Sequence, residues 1–515
     1  MSGGRSAQLG LRAGRGVFGP LAALLGPALL VWSLRAPIAQ LGEGGPWGPA
    51  DPWRNGDVAG AWWWWWAAAR AWRGEGIAAL LGWPEGTGAL GEVLPNPLQL
   101  GLLGLLGPPS AMAWGLLMLA HAILLVVAAQ RLARAAGAGP ALAAAAACLV
   151  AASPVTLHEL AGGRPDSLPA WPGLLAVAFA LQGGRARSIA AGALLGLQLV
   201  LYLWHGVLVG GLLLLLRPSR VRPLALIGAL GLVFAPYLAW LWPSLSRGAA
   251  LNLPPAGYTS LPIAGLFVED DLPERFLAHP LLVLLPPLVA WGRRSRWLWL
   301  AGLVALLVCV GPTLRWRPGE PGLVGPLAWL QWALPPLRRL HHPIRAAVFA
   351  LPLLGAALAV GLQRSRTLRG ARGPVAFALL VAAALRLDGN VRVATWETPA
   401  APPYAARAAE RAEGDGAVID LLGMEHRCAL SLQPVHGRSL VEPFGFRRAG
   451  PWAAALDGLA GGRPAPPAFW AELRAAGVEE VWIFPRFGDG EAARAAVEAA
   501  LGPGDRGVYR LPPSP

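Results

Sequence analysis

Lysine is absent from this sequence, so arginine carries all of its basic charge. Charge of either sign is scarce, because charged residues make up 14% of the 515 residues whereas hydrophobic residues make up 55%. A soluble domain of this length does not need so much apolar surface, and the composition therefore predicts an α-helical polytopic membrane protein in a lipid bilayer. The net charge of +14 accompanies abundant Ala, Gly and Pro, which is typical of GC-rich coding and does not indicate nucleic acid as a partner.

Cysteine is rare as well. Cys148, Cys309 and Cys428 lie far apart in the sequence and have neither metal-binding nor redox spacing, which argues against a disulfide framework. The C-terminal part also lacks a glycine-rich phosphate loop and the spacing of a catalytic triad. The motifs of common soluble enzymes therefore do not account for this chain.

Apolar segments predict about eleven transmembrane helices. They are Val17–Leu34, Ala111–Gln130, Pro140–Val155, Leu168–Gln182, Ser188–Leu203, Gly206–Leu216, Pro223–Trp240, Leu281–Trp291, Trp297–Gly311, Ala346–Leu362 and Val375–Leu385. If each segment crosses, the arginine clusters near positions 131, 185, 217, 293 and 364 all lie on the side of the N-terminus, as the positive-inside rule requires. The sequence therefore predicts a protein of the bacterial inner membrane, with residues 1–16 in the cytoplasm and a transmembrane domain over residues 17–387.

The segment Ser188–Leu216 has two interpretations. Trp204-His205-Gly206 is either a kink within one long helix or a turn between two helices. One crossing fewer here would reverse the side of every later loop. The arginine pattern therefore favours two crossings or a re-entrant pair.

Residues 388–515 have a soluble composition and are predicted to form a small α/β domain outside the cytoplasm. Its predicted strands and helices are Ala417–Leu421, Phe469–Ala476, Gly477–Phe484 and Glu491–Leu501. The densest polar group in it consists of Gln433, His436 and Arg438. No catalytic spacing accompanies these residues, so the domain is predicted to be a support and not the catalytic unit.

The first outer loop, residues 36–109, is predicted to contain interfacial helices. One runs from Val58 to Trp72 and includes the unbroken run Trp62–Trp66, and a second covers Leu98–Leu106. Because five successive residues point all round a helix, the tryptophans are interpreted as an anchor in the headgroup layer. Asp57 precedes this helix. It is interpreted either as its N-cap or as a catalytic base, and the two roles are compatible because capping needs only one carboxylate oxygen.

Other polar residues cluster in the predicted outer loops. These are His158, Arg164 and Asp166 in the second loop, His205 in an apolar stretch, and His341, His342 and Arg345 at the mouth of a later span. The alternative to a functional role for the second-loop group is a solvated turn closed by an internal ion pair. His205 is a functional candidate unless it lies at a turn near the outer interface. For His341, His342 and Arg345 the alternative to ligand binding is snorkelling of these side chains to the interface at the end of a span. Pro343 speaks against it, because it fixes the start of the helix and presents Arg345 in a defined place.

Several short segments resemble a known group of proteins. They are Gly56-Asp57 before an aromatic-rich helix, His158 with Gly162-Gly-Arg-Pro-Asp166, Tyr202-Leu-Trp-His-Gly206, His342-Pro-Ile-Arg345 and Gln433-Pro-Val-His-Gly-Arg438. Together they look like bacterial multispanning proteins similar to the GT-C superfamily of membrane glycosyltransferases. The resemblance implies transfer of a sugar from a polyprenyl-phosphate-linked donor, on the outer face of the membrane, to a glycan, lipid or protein acceptor.

The resemblance also implies a role for an acidic residue of the first outer loop, as a general base or as a ligand of a divalent metal ion. Asp57 is the position that matches it. A plain Asp-x-Asp pair is absent from the sequence, so metal dependence stays open.

The chemistry of sugar transfer suggests roles for the candidate residues. A carboxylate must take the proton of the acceptor hydroxyl, and Asp57 can do so. Cationic groups must hold the leaving phosphate, and Arg345, His341 and His342 can do so, because a guanidinium matches phosphate oxygens in bidentate geometry. His158, Arg164, Asp166 and His205 are assigned to the acceptor. We expect Asp57 and Arg345 to face one cavity at the outer membrane boundary.

Two other classes of function stay open. A transporter of a lipid-linked substrate would have polar residues within several spans and an internal repeat, and the spans here are nearly free of charge. A non-catalytic GT-C-like scaffold would use its outer domain to bind a glycan or a partner. The sequence contains nothing that rules out this second class.

Overall fold

The computed structural model describes sixteen stretches of the chain. They are residues 18–34, 56–75, 97–161, 168–216, 218–246, 292–315, 322–333, 343–368, 371–393, 403–412, 414, 416–421, 433, 435–441, 452–484 and 490–512. The predicted span Leu281–Trp291 lies outside these residues.

The described elements are mostly helical. In chain order they are α1 (Phe18–Ser33), α2 (Gly56–Trp72), α3 (Pro97–Gly104), α4 (Ala111–Ala136), α5 (Pro140–Ala151), α6 (Pro154–Ala161), α7 (Trp171–Gln182), α8 (Arg185–Leu201), α9 (Leu203–Leu216), α10 (Pro223–Ser246), α11 (Arg293–Val310), β1 (Thr313–Leu314), β2 (Leu323–Val324), α12 (Pro326–Ala333), a 3₁₀ helix (Pro343–Ala346), α13 (Ala347–Arg364), α14 (Arg372–Val393), α15 (Pro403–Ala409), β3 (Ala417–Asp420), α16 (Ala453–Ala460), α17 (Pro467–Ala475), β4 (Val478–Trp482), α18 (Glu491–Leu501) and β5 (Val508–Arg510).

The chain divides into two compact units. The first contains residues 1–48, 111–237 and 255–396, and the second contains residues 49–110, 238–254 and 397–515. Most of the predicted first outer loop thus belongs to the same unit as the C-terminal α/β domain, a grouping that the sequence did not indicate. The domain limits drawn from the sequence, near residues 17 and 388, stay predictions.

The first unit is built from apolar helices. Two described helices are long and apolar enough to cross a membrane, Met112–Ala136 and Pro343–Arg364. Shorter apolar helices accompany them at Pro140–Ala151, Trp171–Gln182, Leu203–Leu216, Pro223–Ala239 and Arg372–Ala383. Small residues allow the helices of the first unit to approach closely. A Cβ at Gly302 of α11, for example, would lie 2.7 Å from the Cγ atom of Leu354 on α13. These helices coincide with predicted spans, whereas the total of eleven stays a prediction.

The Ser188–Leu216 region is a pair of helices and not one kinked helix. Helix α8 ends at Leu201, and Tyr202 has extended backbone angles, with φ −156° and ψ 107°. After α9 the chain returns to the start of α8, because the amide of Gly184 donates to the carbonyl of Arg220 at 3.0 Å. The amide of Arg222 likewise donates to Ser188 Oγ at 2.9 Å. Helix α9 therefore runs back alongside α8, as the arginine pattern predicted.

The predicted topology can be checked with single cysteines in a variant that lacks Cys148, Cys309 and Cys428. Ser219→Cys and Arg366→Cys lie at exposed positions of predicted inner segments, and Arg463→Cys lies at an exposed position of the α/β domain. Because the arginine clusters favour the cytoplasm, we expect an impermeant maleimide to label only Arg463→Cys in intact cells. The other two should react after permeabilisation. Labelling of Ser219→Cys from outside, or failure to label Arg463→Cys, would contradict the predicted topology.

The second unit contains a three-stranded sheet in the order β3-β4-β5. Strands β3 and β4 are parallel and β4 and β5 antiparallel. The predicted strands and helices of this region agree with β3, α17, β4 and α18 to within a few residues. β3 is buried throughout and β4 at every residue but Glu479, so the sheet lies in the interior of this unit.

Helix α2 corrects the interpretation of the tryptophan run as a membrane anchor. Trp63, Trp64, Trp65 and Trp66 are buried within protein. The indole N–H of Trp65 donates to the carbonyl of Gly107 at 2.8 Å, so its partner is protein and not a headgroup. A helix that is apolar on all sides can be enclosed by protein as well as by lipid, and periodicity cannot tell the two apart.

Helix α3 packs closely against α2. A Cβ at Gly104 would lie 2.8 Å from the Cβ atom of Ala68, so these small residues let the two helices touch. Leu102, Leu105 and Leu106, at the end of α3 and just after it, are exposed. That the Leu98–Leu106 segment lies at the membrane surface stays a prediction, and the exposed leucines fit it.

Candidate functional site

Asp57 lies in the first turn of α2, which begins at Gly56. The predicted helix from Val58 to Trp72 is therefore confirmed, and it starts two residues earlier than expected. The side chain of Asp57 lies outside the described part of the chain. Because Asp57 is inside the first turn, it follows the N-cap position, where a carboxylate is favoured by the helix dipole. Its catalytic role stays a prediction.

Arg345 is turned into the first unit. The 3₁₀ helix Pro343–Ala346 leads into α13 and buries Arg345 to 5% exposure. The guanidinium Nη1 donates to the hydroxyl of Tyr202 at 3.4 Å, and its Cζ atom lies 5.7 Å from the centre of the Tyr202 ring. A snorkelling arginine would present its charged end to water or headgroups. That alternative is wrong for Arg345, which packs inside the protein.

His205 lies beside Arg345. Its ring makes edge-to-face contacts with Tyr202 and Phe349, at 4.5 and 5.0 Å between ring centres. The side chain is 2% exposed, and the backbone of Arg345 lies within reach of its ring. The charges of Arg345 and Glu159 both act on the ring. The sequence assigned His205 to the acceptor, whereas the structure groups it with the proposed phosphate-binding arginine.

Glu159 is the residue that the sequence interpretation missed. It lies on the short helix α6 and is 3% exposed. Glu159 follows a predicted span and falls in the second predicted outer loop beside His158, and it was therefore not singled out. The helical spacing of Val155, Glu159 and the buried Leu160 was the signal that could have placed it inward.

The remaining predicted site residues fall outside what the structure describes. The backbone of His158 belongs to α6, but its side chain is not among the described ones. Four further residues lie wholly outside the described stretches: Arg164, Asp166, His341 and His342. Their proposed roles stay predictions. Within the described stretches, no group of His, Cys, Asp and Glu side chains could hold a metal ion.

We name Arg345, Tyr202, His205 and Glu159 the Arg345 cluster. It brings a guanidinium, a phenol, an imidazole and a carboxylate into one apolar unit. Charges interact more strongly in such surroundings than in water, so the cluster suits an anionic ligand that the guanidinium can bind in bidentate geometry. The carboxylate of Glu159 and the imidazole of His205 can hold or move a proton near such a ligand.

The polar group of the tail is also buried. Gln433, His436 and Arg438 are 0%, 2% and 5% exposed. The guanidinium of Arg438 donates to Glu480 at 2.9 Å, to Glu479 at 2.8 Å and to the carbonyl of Gly416 at 2.8 Å. This group therefore ties the strands of the second unit together, which fits the prediction that the tail is a support.

No protein-family model matches the sequence, and no curated protein sequence matches it. Solved structures of two membrane transferases resemble it. The arabinofuranosyltransferase AftD from Mycobacteria aligns with a TM-score of 0.50 and 18% identity over 88% of this chain, which spans 36% of AftD. ArnT from Cupriavidus metallidurans, bound to undecaprenyl phosphate, aligns with a TM-score of 0.54 and 12% identity, over 94% of this chain and 97% of ArnT.

Both structures belong to the GT-C superfamily of polyprenyl-phosphate-sugar glycosyltransferases. The chain spans little more than a third of AftD but nearly the whole of ArnT. At these identities the likeness concerns the fold. The chain therefore resembles the GT-C superfamily in its polytopic membrane fold, as the short motifs of the sequence implied.

Proposed function

We propose that this chain is a membrane glycosyltransferase that transfers a sugar from a polyprenyl-phosphate-linked donor to an acceptor hydroxyl on the outer face of the inner membrane. The observation that carries the proposal is the Arg345 cluster. A buried guanidinium among apolar helices is costly unless its charge is paired or binds a ligand. A charged residue in such a place within a membrane protein is therefore a functional candidate by default.

A lipid phosphate fits this cluster in both depth and charge. The polyprenyl tail stays in the acyl layer, so the phosphate lies near the ends of the spans. Arg345 directly precedes α13, a helix of the length and composition of a span. The ligand in the ArnT structure is undecaprenyl phosphate, which supports a polyprenyl phosphate as the lipid part of the donor.

The proposed reaction forms one bond, breaks one bond and transfers one proton. The acceptor oxygen attacks the anomeric carbon of the donor sugar, the bond from that carbon to the phosphate oxygen breaks, and the lipid phosphate leaves with its electron pair. Asp57 accepts the proton of the acceptor hydroxyl. Arg345, with His341 and His342, stabilises the negative charge that develops on the phosphate. His158, Arg164 and Asp166 contribute to the acceptor side.

His205 refines the donor side of the proposal. Its ring packs against Tyr202, which also contacts the guanidinium of Arg345, so we assign His205 to the phosphate and not to the acceptor. An imidazole can donate a second hydrogen bond to a phosphate oxygen.

The described residues do not build a divalent metal site. Glu159 and His205 are the candidate ligands in the cluster, but the positive charge of Arg345 beside them disfavours a cation. No step is therefore assigned to a metal ion. The proposed charge stabilisation rests on arginine and histidine.

The decisive experiment is an in vitro transfer assay with the purified full chain and a panel of polyprenyl-phosphate sugars. We expect one donor to be consumed, with lipid phosphate released and the sugar recovered on an acceptor. Tight binding of a lipid-linked sugar without release of lipid phosphate, under every acceptor tried, would favour the non-catalytic scaffold. Movement of intact donor across a vesicle membrane would favour the transporter.

A further inference from the structure

The second unit contains a hydrogen bond between residues 370 positions apart. The indole N–H of Trp63, on α2, donates to the side-chain carbonyl of Gln433, in the tail. Trp63 is 1% exposed and Gln433 is fully buried. The bond thus connects the helix that carries Asp57 to the C-terminal α/β domain, within one compact unit.

Gln433 uses both ends of its amide. While its oxygen accepts from Trp63, its nitrogen donates to the backbone carbonyl of Arg438 at 2.9 Å. A buried amide in which both ends are used has one defined orientation, because flipping it would place a donor against the indole N–H and an acceptor against a carbonyl. The position of Trp63 is therefore tied to the backbone of the tail.

The connection continues into the sheet. The guanidinium of Arg438 bonds to Glu480 on β4, and Glu480 also accepts from the indole N–H of Trp482 at 2.9 Å. The amide of Arg438 donates to His436 Nδ1 at 3.1 Å. Glu480 and Arg438 are each about 5% exposed. Because buried polar networks of this kind hold a single arrangement, the sheet forms a rigid base for the bond to Trp63.

We propose that Gln433 is a positioning residue, which through Trp63 holds α2, and with it Asp57, in the place required for proton transfer. The C-terminal domain is then more than a passive support, because it sets the position of the proposed base. The inference rests on the proposed function for its effect on catalysis. The physical connection between α2 and the tail does not depend on that function.

The test compares Gln433→Met and Trp63→Phe in the full chain. Each removes the bond. Gln433→Met keeps the side-chain volume close to the original, whereas Trp63→Phe also shortens a buried ring system and so needs a control with the same change. We expect hydrogen exchange of the backbone amides of residues 56–72 to become faster in both variants, although Gln433 lies in the tail. We also expect kcat for sugar transfer to fall about tenfold or more, as a displaced catalytic group predicts, with an unchanged KM for the donor.

Trp65→Phe is the matched control. Trp65 is on the same helix, equally buried, and its N–H donates to Gly107 near α3 and not to the tail. We expect its kcat to stay close to that of the wild type. Since Trp63 and Gln433 act through one bond, the kcat of the double variant should be no lower than that of the more impaired single variant.

Three results would overturn the inference. They are wild-type exchange rates over residues 56–72 in Gln433→Met, an equal loss of kcat in Trp65→Phe, and additive losses in the double variant. If the wild type transfers no sugar from any donor, the proposed function has failed, and the exchange rates alone then decide whether the tail holds α2.

Discussion

Asp57→Asn is expected to lower the turnover of sugar transfer about a thousandfold or more, and to leave binding of the donor lipid nearly unchanged. A general base acts mainly in the transition state, so its loss affects kcat and not the affinity for the ground state. Asparagine keeps the size of aspartate and one side-chain carbonyl oxygen, but it loses the charge that the dipole of α2 favours, a contribution of about 0.3–1 kcal/mol. The substitution therefore removes the proton acceptor at a small expected cost to the stability of α2.

Glu75→Gln is the control for Asp57→Asn, because it exchanges a carboxylate for an amide in the same segment. Glu75 forms ion pairs with Arg73 at 2.6 Å and Arg70 at 2.7 Å. The hydrogen bond from Arg73 lowers the pKa of Glu75, so this carboxylate is already held by arginines. We expect Glu75→Gln to retain activity. Full activity in Asp57→Asn, with a correctly folded protein, would refute the role of Asp57 as base.

Arg345→Lys is expected to weaken binding of the donor lipid about 10-fold to 100-fold, although the charge is conserved. A guanidinium offers two parallel donors to a phosphate, whereas an ammonium is a point charge on a flexible stem. Lysine would also lose the contact with the ring and hydroxyl of Tyr202, which orients the guanidinium. The effect should appear in the dissociation constant measured with a non-transferable polyprenyl phosphate.

Arg187→Lys is the control for Arg345→Lys. Arg187 lies at an exposed position of a predicted inner segment, so its exchange should not change donor affinity. If Arg345→Lys binds the donor as well as the wild type does, the phosphate is held elsewhere and the Arg345 cluster is structural. If both variants lose affinity equally, the loss does not come from the Arg345 cluster and the assignment of the phosphate to Arg345 is refuted.

Local patterns predicted the elements of this protein well. The apolar helices and the strands and helices of the α/β domain follow from hydropathy and periodicity, which act over a few positions of the chain. The division of residues 188–216 into two helices was favoured by the arginine pattern instead. The start of α2 was predicted to within two residues, and the presence of Arg345 at the entry to α13 was also predicted. The GT-C fold that the resemblance implied is also the fold of the solved structures that align with the chain.

The sequence could not show which side chains meet. Tyr202 and Arg345 are 143 positions apart and Trp63 and Gln433 are 370 apart, and no periodicity connects them. Glu159 was placed in the second outer loop and was assigned no role, since a charge after a span is usually solvated. His205 was assigned to the acceptor, because its neighbours in the sequence did not include Arg345.

The sequence by itself determined that this is an apolar, multispanning chain with a mixed α/β tail, since the balance of apolar and charged residues decides whether a segment is stable in lipid or in water. Only the tertiary structure decided that the tryptophan helix is enclosed by protein, and that Arg345, His205 and Glu159 share one environment. Burial of an all-round apolar helix is equally favourable in lipid or in protein, so its surroundings depend on long-range packing and not on its own residues.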